Sequence, residues 1–387
     1  MQSRIGTRDG LSVSRPEVAA VLQVRSPGGS LAKFCRNDRA SARRNCTRTG
    51  TPPWRYNRVM RIRIRLVLPL VLAFSFVAHA ADTSLLKKKI EQTITRARGE
   101  VGVAVKHLES GTEILINADK KFPMASTYKL PIVVEVFHQA AEGKFSMYDL
   151  VDVRPDDVHI GAGVGIVALF DPPGVVFDFR NLINLAMRVS DNSASDILLN
   201  RVGAANVTQR MKMLRLDSIR VDRSTLEMIF DQSGLDYAQQ GSLPAREVRK
   251  LLEAVDPKTA AKADEQFNKT DKDTATPADM NRLLEMIVKG EIVDRAASDQ
   301  IIYYLKECQT GTARIPGLLP KGTDVAHKSG TISGSINDTG IVFLPDNAGH
   351  VAITVFMRNT RATTAARERV IADISRYAYD FFSQYGK

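Results

Sequence analysis

The stretch "FPMASTYKLPIVVEV", residues 122–136, is the first place where residue types suggest chemistry: the polar cluster Ser126-Thr127-Tyr128-Lys129 opens a long apolar run. In a helix, Ser126 and Lys129 lie one turn apart on one face. A hydroxyl beside an amine is a nucleophile beside its own base, provided that desolvation or a second cation lowers the lysine pKa. The bland alternative is a capped helix with a surface lysine. Ser-x-x-Lys alone does not decide, because about one instance is expected by chance in a chain this long. Ser84-Leu85-Leu86-Lys87 is such an instance, read as the cap and surface of the first helix.

Company sets Ser126 apart. Ser190-Asp191-Asn192 in "RVSDNSASDIL" and Lys328-Ser329-Gly330-Thr331 in "AHKSGTISG" follow it in order. Taken singly, Ser190 also reads as a helix cap and Lys328 as a solubilising charge on an edge strand. Together the three motifs resemble the serine acyl-transferases that include class A β-lactamases and penicillin-binding peptidases. The resemblance runs over most of residues 83–384 and includes "GAGV" at 161–164, "DTATPADM" at 273–280 and "NDTGIVFLP" at 337–345. It implies Ser126 as nucleophile, Lys129 as its base and Ser190 as a proton relay toward the leaving nitrogen. It further implies Asn192 on a substrate amide, Lys328 as positive charge, and Ser329 and Thr331 on a substrate carboxylate. The backbone N–H groups of Ser126 and Thr331 map to the oxyanion hole, and Asp191 is expected to brace its loop.

The resemblance breaks at one point. The family places a glutamate two residues after an arginine to activate the deacylating water, with an asparagine four further on. Here "VDRSTLEMIFDQ", 221–232, keeps Asp222 and Arg223 but puts Thr225 at the glutamate position. Glu227 stands two residues later and Asp231 four beyond that. Either the loop is reshaped so that Glu227 reaches the water, or Thr225 replaces the base and that route is lost. A solvated loop carboxylate is the plain reading of Glu227. An added helical segment, about 234–268, precedes Asp273, which is expected to pair with Arg223. The family's arginine after Lys-Ser-Gly is missing as well; Ile336, Asn337 and Asp338 occupy that region. Carboxylate binding then rests on Ser329 and Thr331 alone, or on another arginine.

The elements that must position these groups follow from periodicity. Residues 84–98 have helical apolar spacing at Leu85, Ile90 and Ile94. Strands at 101–108 and 112–118 are joined by the turn "ESGT". A helix starts at Ser126, and a loop-rich region runs to about 180. Helices are predicted at 181–188, 193–202, 204–214, 244–254, 277–289 and 294–306. Strands return at 324–331, 338–345 and 350–358, and a helix at 363–384 closes the chain. The expected fold class is α+β, and the resemblance implies a three-layer α/β/α, serine β-lactamase-like fold. Its five-stranded antiparallel sheet carries the terminal helices, and an all-helical lobe is inserted in the chain. The expected limits are 81–122 and 320–387 for the α/β lobe and about 123–319 for the helical lobe, with a cleft between them.

The net charge of +11 points at first to nucleic acid. Its distribution does not: residues 1–80 hold the excess, and 81–387 are close to neutral. "MRIRIRLVLPLVLAFSFVAHA", 60–80, reads as a secretory signal cleaved near Ala80, with no stable membrane anchor. Residues 1–59, Arg- and Ser-rich without apolar period, are expected to be disordered or to precede the true start at Met60. Past the signal only Cys308 remains, so no internal disulfide is expected. His107, His138, His159, His327 and His350 lack metal-like spacing. "GAGVG", 161–165, lacks the strand–loop–helix context of a dinucleotide site. The expectation is a periplasmic or secreted monomer without metal or organic cofactor, binding no nucleic acid. Its substrate would be a β-lactam or a D-Ala-D-Ala-like peptide, hydrolysed through a Ser126 acyl-enzyme. A penicillin-binding enzyme with slow deacylation and a catalytically silent binder of cell-wall fragments are the rivals.

Overall fold

The computed structural model describes residues 83–160, 165–241 and 243–384. The predicted signal and N-terminal extension lie outside the described residues, as does most of "GAGVG". Helix α1 spans 83–94 and is followed by a turn of 3-10 helix at Thr95–Ala97. Strands β1 (Glu100–His107) and β2 (Glu113–Ile116) form the expected hairpin. Strands β3 (Val325–Ile332), β4 (Ser335–Phe343) and β5 (His350–Arg358) complete one sheet of order β2-β1-β5-β4-β3, antiparallel throughout.

Period-2 alternation explains why both faces of this sheet are covered. On β5, Val351, Ile353, Val355 and Met357 join a core with α1 residues Leu86 and Ile90 and with Val370, Ile371 and Ile374 of the C-terminal helix. Ala352 and Phe356 point the other way, into the core shared with the middle of the chain. Full burial of each such aliphatic or aromatic side chain contributes about 1.5–3 kcal/mol, so the sheet is held from both sides. The middle of the chain supplies helices α2 (Lys129–Ala141), α3 (Phe179–Arg188), α4 (Asn192–Val202), α5 (Ala204–Met213) and α6 (Thr225–Ser233). It continues with α7 (Ala245–Ala254), α8 (Pro257–Phe267), α9 (Pro277–Lys289) and α10 (Arg295–Lys306), and α11 (Thr364–Phe382) ends the fold.

Four expectations change. Leu85 is exposed and Leu86 is buried, because Leu86 and Ile90, four apart, share the face toward the sheet. Helix α2 proper starts at Lys129; Ser126 sits in the 3-10 turn Ala125–Tyr128 before it. Strand β4 begins at Ser335, three residues early, because Asn337 and Asp338 bury their polar side chains in hydrogen bonds rather than making a turn. The region before 180 is not all loop: Leu150–Val153 pairs with Val175–Asp178. A second small ribbon joins Phe122–Pro123, just before Ser126, to Thr274–Ala275, just after Asp273.

Candidate active site

Three chain segments meet at one corner of the sheet. The first is the turn bearing Ser126. Ala125 has φ +49°, a left-handed backbone that L-residues seldom adopt. The turn is pinned from several sides. Thr127 Oγ1 donates to Met124 O at 2.7 Å, and Met124 N–H donates to Asp273 O at 3.0 Å. The wholly buried Asn337 carboxamide donates to Pro123 O at 2.7 Å and Met124 O at 3.1 Å, and accepts from Met357 N–H at 2.9 Å. Ser126 itself is partly buried. Edge strand β3 runs directly beside it. A Cβ placed on Gly330 would stand 2.8 Å from the backbone oxygen of Met124 and 3.0 Å from the backbone nitrogens of Ser126 and Thr127, so any side chain here would push the Ser126 turn away.

The second segment is the Ser190 loop. Asp191 caps α4 by accepting from Ala194 N–H at 2.6 Å, and also accepts from Ile166 N–H at 2.7 Å. Burial pushes its carboxyl up, against those two backbone bonds. It braces the loop, and Gly165, at φ +99°, leaves room for it. Ser190 is left-handed at φ +59°, which turns its hydroxyl toward the lysines.

Lys129, wholly buried, ties the first two segments together. Its Nζ donates to Ser190 O at 2.6 Å, Asn192 Oδ1 at 3.0 Å and Asp191 O at 3.1 Å, with Ser190 Oγ at 3.4 Å. The third segment, β3, brings Lys328, also wholly buried, whose Nζ donates to Ser190 Oγ at 2.9 Å and Ser329 O at 2.9 Å. The Ser190 hydroxyl thus sits between two ammonium groups. Burial, and then the charge of Lys328, push Lys129 down to about 7. Burial also holds Lys328 below the ordinary lysine range. A lysine near 7 can carry or release a proton in neutral water.

The remaining candidates border this centre. Asn192 Nδ2 donates to Ile160 O at 2.9 Å, which fixes its amide plane while Oδ1 faces Lys129. Ser329 Oγ is 2.6 Å from Thr310 Oγ1. The exposed Thr331 side chain accepts from Arg314 Nη2 at 2.7 Å. Arg314 is the residue that sequence reasoning did not single out. It is buried, and Nη1 donates to Gly330 O and Asn337 O at 2.9 Å each, while Nε reaches Glu368 at 3.2 Å. Its guanidinium borders Thr331 from elsewhere in the chain, where the family's usual arginine is absent. No local motif marks it.

Glu227 is the third residue of α6. Its Oε2 accepts from Ser224 N–H at 2.7 Å, and Ser224 Oγ accepts from Glu227 N–H at 3.1 Å, a reciprocal capping box. Thr225 is buried: its hydroxyl lies 2.6 Å from Tyr128 Oη and 3.2 Å from Ser195 Oγ, and its N–H donates to Asp196 at 2.8 Å. The carboxylates that act on Lys129 are Asp196 and Asp191. Arg223 pairs with Asp273 at 2.6 Å and with Asp231 at 2.5 Å, so the loop's two ends are pinned.

With that geometry in view, comparison with known proteins is direct. The model of the β-lactamase enzyme family matches residues 85–382. The chain is 28% identical over 328 residues to β-lactamase VEB-1 of Pseudomonas aeruginosa, spanning 83% of this chain and 97% of that one. It is 27% identical over 320 residues to the extended-spectrum β-lactamase PER-1 of the same organism, spanning 81% and 92%. A solved β-lactamase from Chitinophaga pinensis superposes with a TM-score of 0.63 at 29% identity, covering 76% and 98% of the two chains. The antiparallel five-stranded sheet, its covering helices and the family match over most of the chain agree, and the protein belongs to the β-lactamase enzyme family as a serine β-lactamase-type hydrolase.

Proposed function

We propose that the protein hydrolyses β-lactams through an acyl-enzyme on Ser126. Lys129, which becomes neutral as the pH rises through about 7, takes the Ser126 proton as the hydroxyl attacks the lactam carbonyl. The developing oxyanion is met by the backbone N–H groups of Ser126 and Thr331, which contribute several kcal/mol to the barrier reduction, on the order of 3–4 kcal/mol for a single donor elsewhere. Ser190 passes a proton to the leaving nitrogen, and Lys328 keeps that hydroxyl oriented. Asn192 takes the side-chain amide. Ser329 and Thr331 take the substrate carboxylate, with Arg314 behind Thr331 supplying the positive charge. The single observation that carries this reading is the Ser190 hydroxyl held between two buried lysines, one of them near 7.

For deacylation we propose Glu227 as the water-activating carboxylate, with Oε2 steadied by Ser224. One observation favours a second reading: the Thr225 hydroxyl is spent on Tyr128 and Ser195, and no carboxylate stands at its position. In that reading acylation is fast, deacylation is slow, and the chain behaves as a penicillin-binding enzyme. The substrate class, a β-lactam or a D-Ala-D-Ala-like peptide, export through the 60–80 signal and a monomeric state belong to the same proposal.

One experiment separates the readings. The chain beginning at Ala81 is mixed with a chromogenic cephalosporin and weighed by mass spectrometry. Turnover without a lasting adduct supports hydrolysis. A stable mass increase on Ser126 supports the slow-deacylating enzyme, and neither outcome leaves the silent binder. Glu227→Ala should acylate normally and accumulate adduct; unchanged turnover clears Glu227 of the role.

A further inference from the structure

We propose that the outer face of α1, with α11 beside it, is a docking surface for an anionic phospholipid membrane, on which the exported chain rests reversibly. Charge is divided unevenly over the fold. Residues 83–98 hold five lysines and arginines against the single acid Glu91, while residues 99–358 hold six more acidic than basic residues. The near-neutral chain past the signal is thus a basic edge set against an acidic remainder. Lys87, Lys88, Lys89, Arg96 and Arg98 are all exposed. The side chains of Lys87, Lys88, Arg98 and the exposed Arg361 have no hydrogen-bond or ion-pair partner among the described residues. Arg361 N–H donates to Arg98 O at 3.2 Å, so the two arginines are neighbours at the end of α1.

Helix α11 lies alongside and does not cancel this charge. Asp373 accepts from Arg96 at 2.6 Å and from Arg369 at 3.0 Å, two cations on one acid. Lys89 Nζ stands 3.9 Å from the centre of the Tyr377 ring. Leu86 and Ile90 commit the inner face of α1 to the sheet. On the outer face Leu85 is 69% exposed, one turn before Lys88 and Lys89. A basic helix face that also presents a large apolar side chain suits the boundary between lipid headgroups and water. Here the attraction is electrostatic, and Leu85 adds one shallow apolar contact.

Position in the chain favours lipid over other polyanions. The described fold begins at Thr83, three residues beyond the small-x-small site that ends at Ala80. With export as proposed, α1 is the first element to stand at the membrane surface. No helix among the described residues is long and apolar enough to cross a membrane, so the association is peripheral. Helices α1 and α11 cover one face of the sheet, and the helices that carry Lys129 and Asn192 pack on the other. Docking through α1 therefore leaves the cleft free. The charge argument does not depend on hydrolysis of any β-lactam.

The test uses the chain beginning at Ala81, because residues 1–80 are basic and apolar enough to bind lipid by themselves. Every described element and core cluster lies within it. Vesicles of one part phosphatidylglycerol to two parts phosphatidylcholine should pellet it at about 0.1 M salt and release it at about 1 M, as the screening length falls from about 10 Å to about 3 Å. Pure phosphatidylcholine should hold at least tenfold less. A basic residue near an anionic surface strengthens partition about fivefold. Lys87→Gln, Lys88→Gln, Arg98→Gln and Arg361→Gln combined should therefore weaken it at least tenfold. Lys212→Gln, Lys258→Gln, Lys262→Gln and Lys272→Gln, the same charge change on exposed residues of the helical side, should weaken it about twofold at most. Should the first variant fail to fold, hydrogen exchange of the unmutated chain decides: phosphatidylglycerol vesicles must slow exchange in residues 84–98. No pelleting on phosphatidylglycerol, or equal losses in the two variants, overturns the surface. Retention on heparin without partition to vesicles assigns the face to an anionic polymer and overturns the lipid partner.

Discussion

At the scale of single residues, the lysine pair makes the sharpest demand. Lys129 acts as a base only when neutral, and burial beside Lys328 brings it to about 7. Acylation, measured as kcat/KM, should therefore rise with pH through an acid limb centred near 7. Lys129→Arg, which stays charged at every accessible pH, should lose about 10²–10⁴-fold in acylation without loss of fold, as circular dichroism and stopped-flow acylation would report. An Arg variant with full activity would remove Lys129 from the base role. The Ser-x-x-Lys, Ser-Asp-Asn and Lys-Ser-Gly-Thr groups were legible in the sequence because each is short and local. Arg314 and Asn337 were not. Their roles depend on donors reaching Thr331, Gly330, Pro123 and Met124 across long separations, and nothing beside them in the chain marks that.

At the scale of elements, the loop before α6 decides deacylation. Arg223 joins Asp273 and Asp231 while its guanidinium lies 5.1 Å from the Phe267 ring. Leu226 and Phe230 of α6 pack with Val248 of α7, so the added segment forms a small core of its own with the loop helix. Arg223→Ala leaves Asp273 buried and unpaired, and should destabilise by about 3–5 kcal/mol in chemical denaturation. Phe230→Ala should cost about 3–5 kcal/mol or locally release α6. In that variant deacylation should suffer more than acylation, a split that single-turnover and steady-state rates resolve. Equal losses in both steps would detach the insert from the water-activating loop. Asn337→Ala, which frees the carbonyls of Pro123 and Met124, should cost about 1–3 kcal/mol and slow acylation instead. Most helix limits came within two residues of their apolar period. The start of β4 did not, because "SINDTG" has turn-forming residues whose polar atoms are satisfied only by distant partners.

At the scale of the whole molecule, the two ends of the chain build the sheet and the middle builds the helices around its corner. That division was readable because alternation and helical period separate cleanly along the chain, and "HVAITVFMR" is buried on both faces as a central strand should be. Two lysines placed wholly out of water have a further effect, on folding itself. Unfolded, Lys129 binds a proton up to its ordinary pKa of about 10.4; folded, it releases that proton near 7. Between those values the denatured chain holds more protons, so this group adds stability as the solution becomes alkaline and withholds it below neutrality. The full swing is on the order of 4–5 kcal/mol. Lys129→Met should then melt at a higher temperature than the parent in neutral buffer, with the gap closing toward pH 10. The enzyme's reactivity and its resistance to denaturation would be set against each other by one side chain.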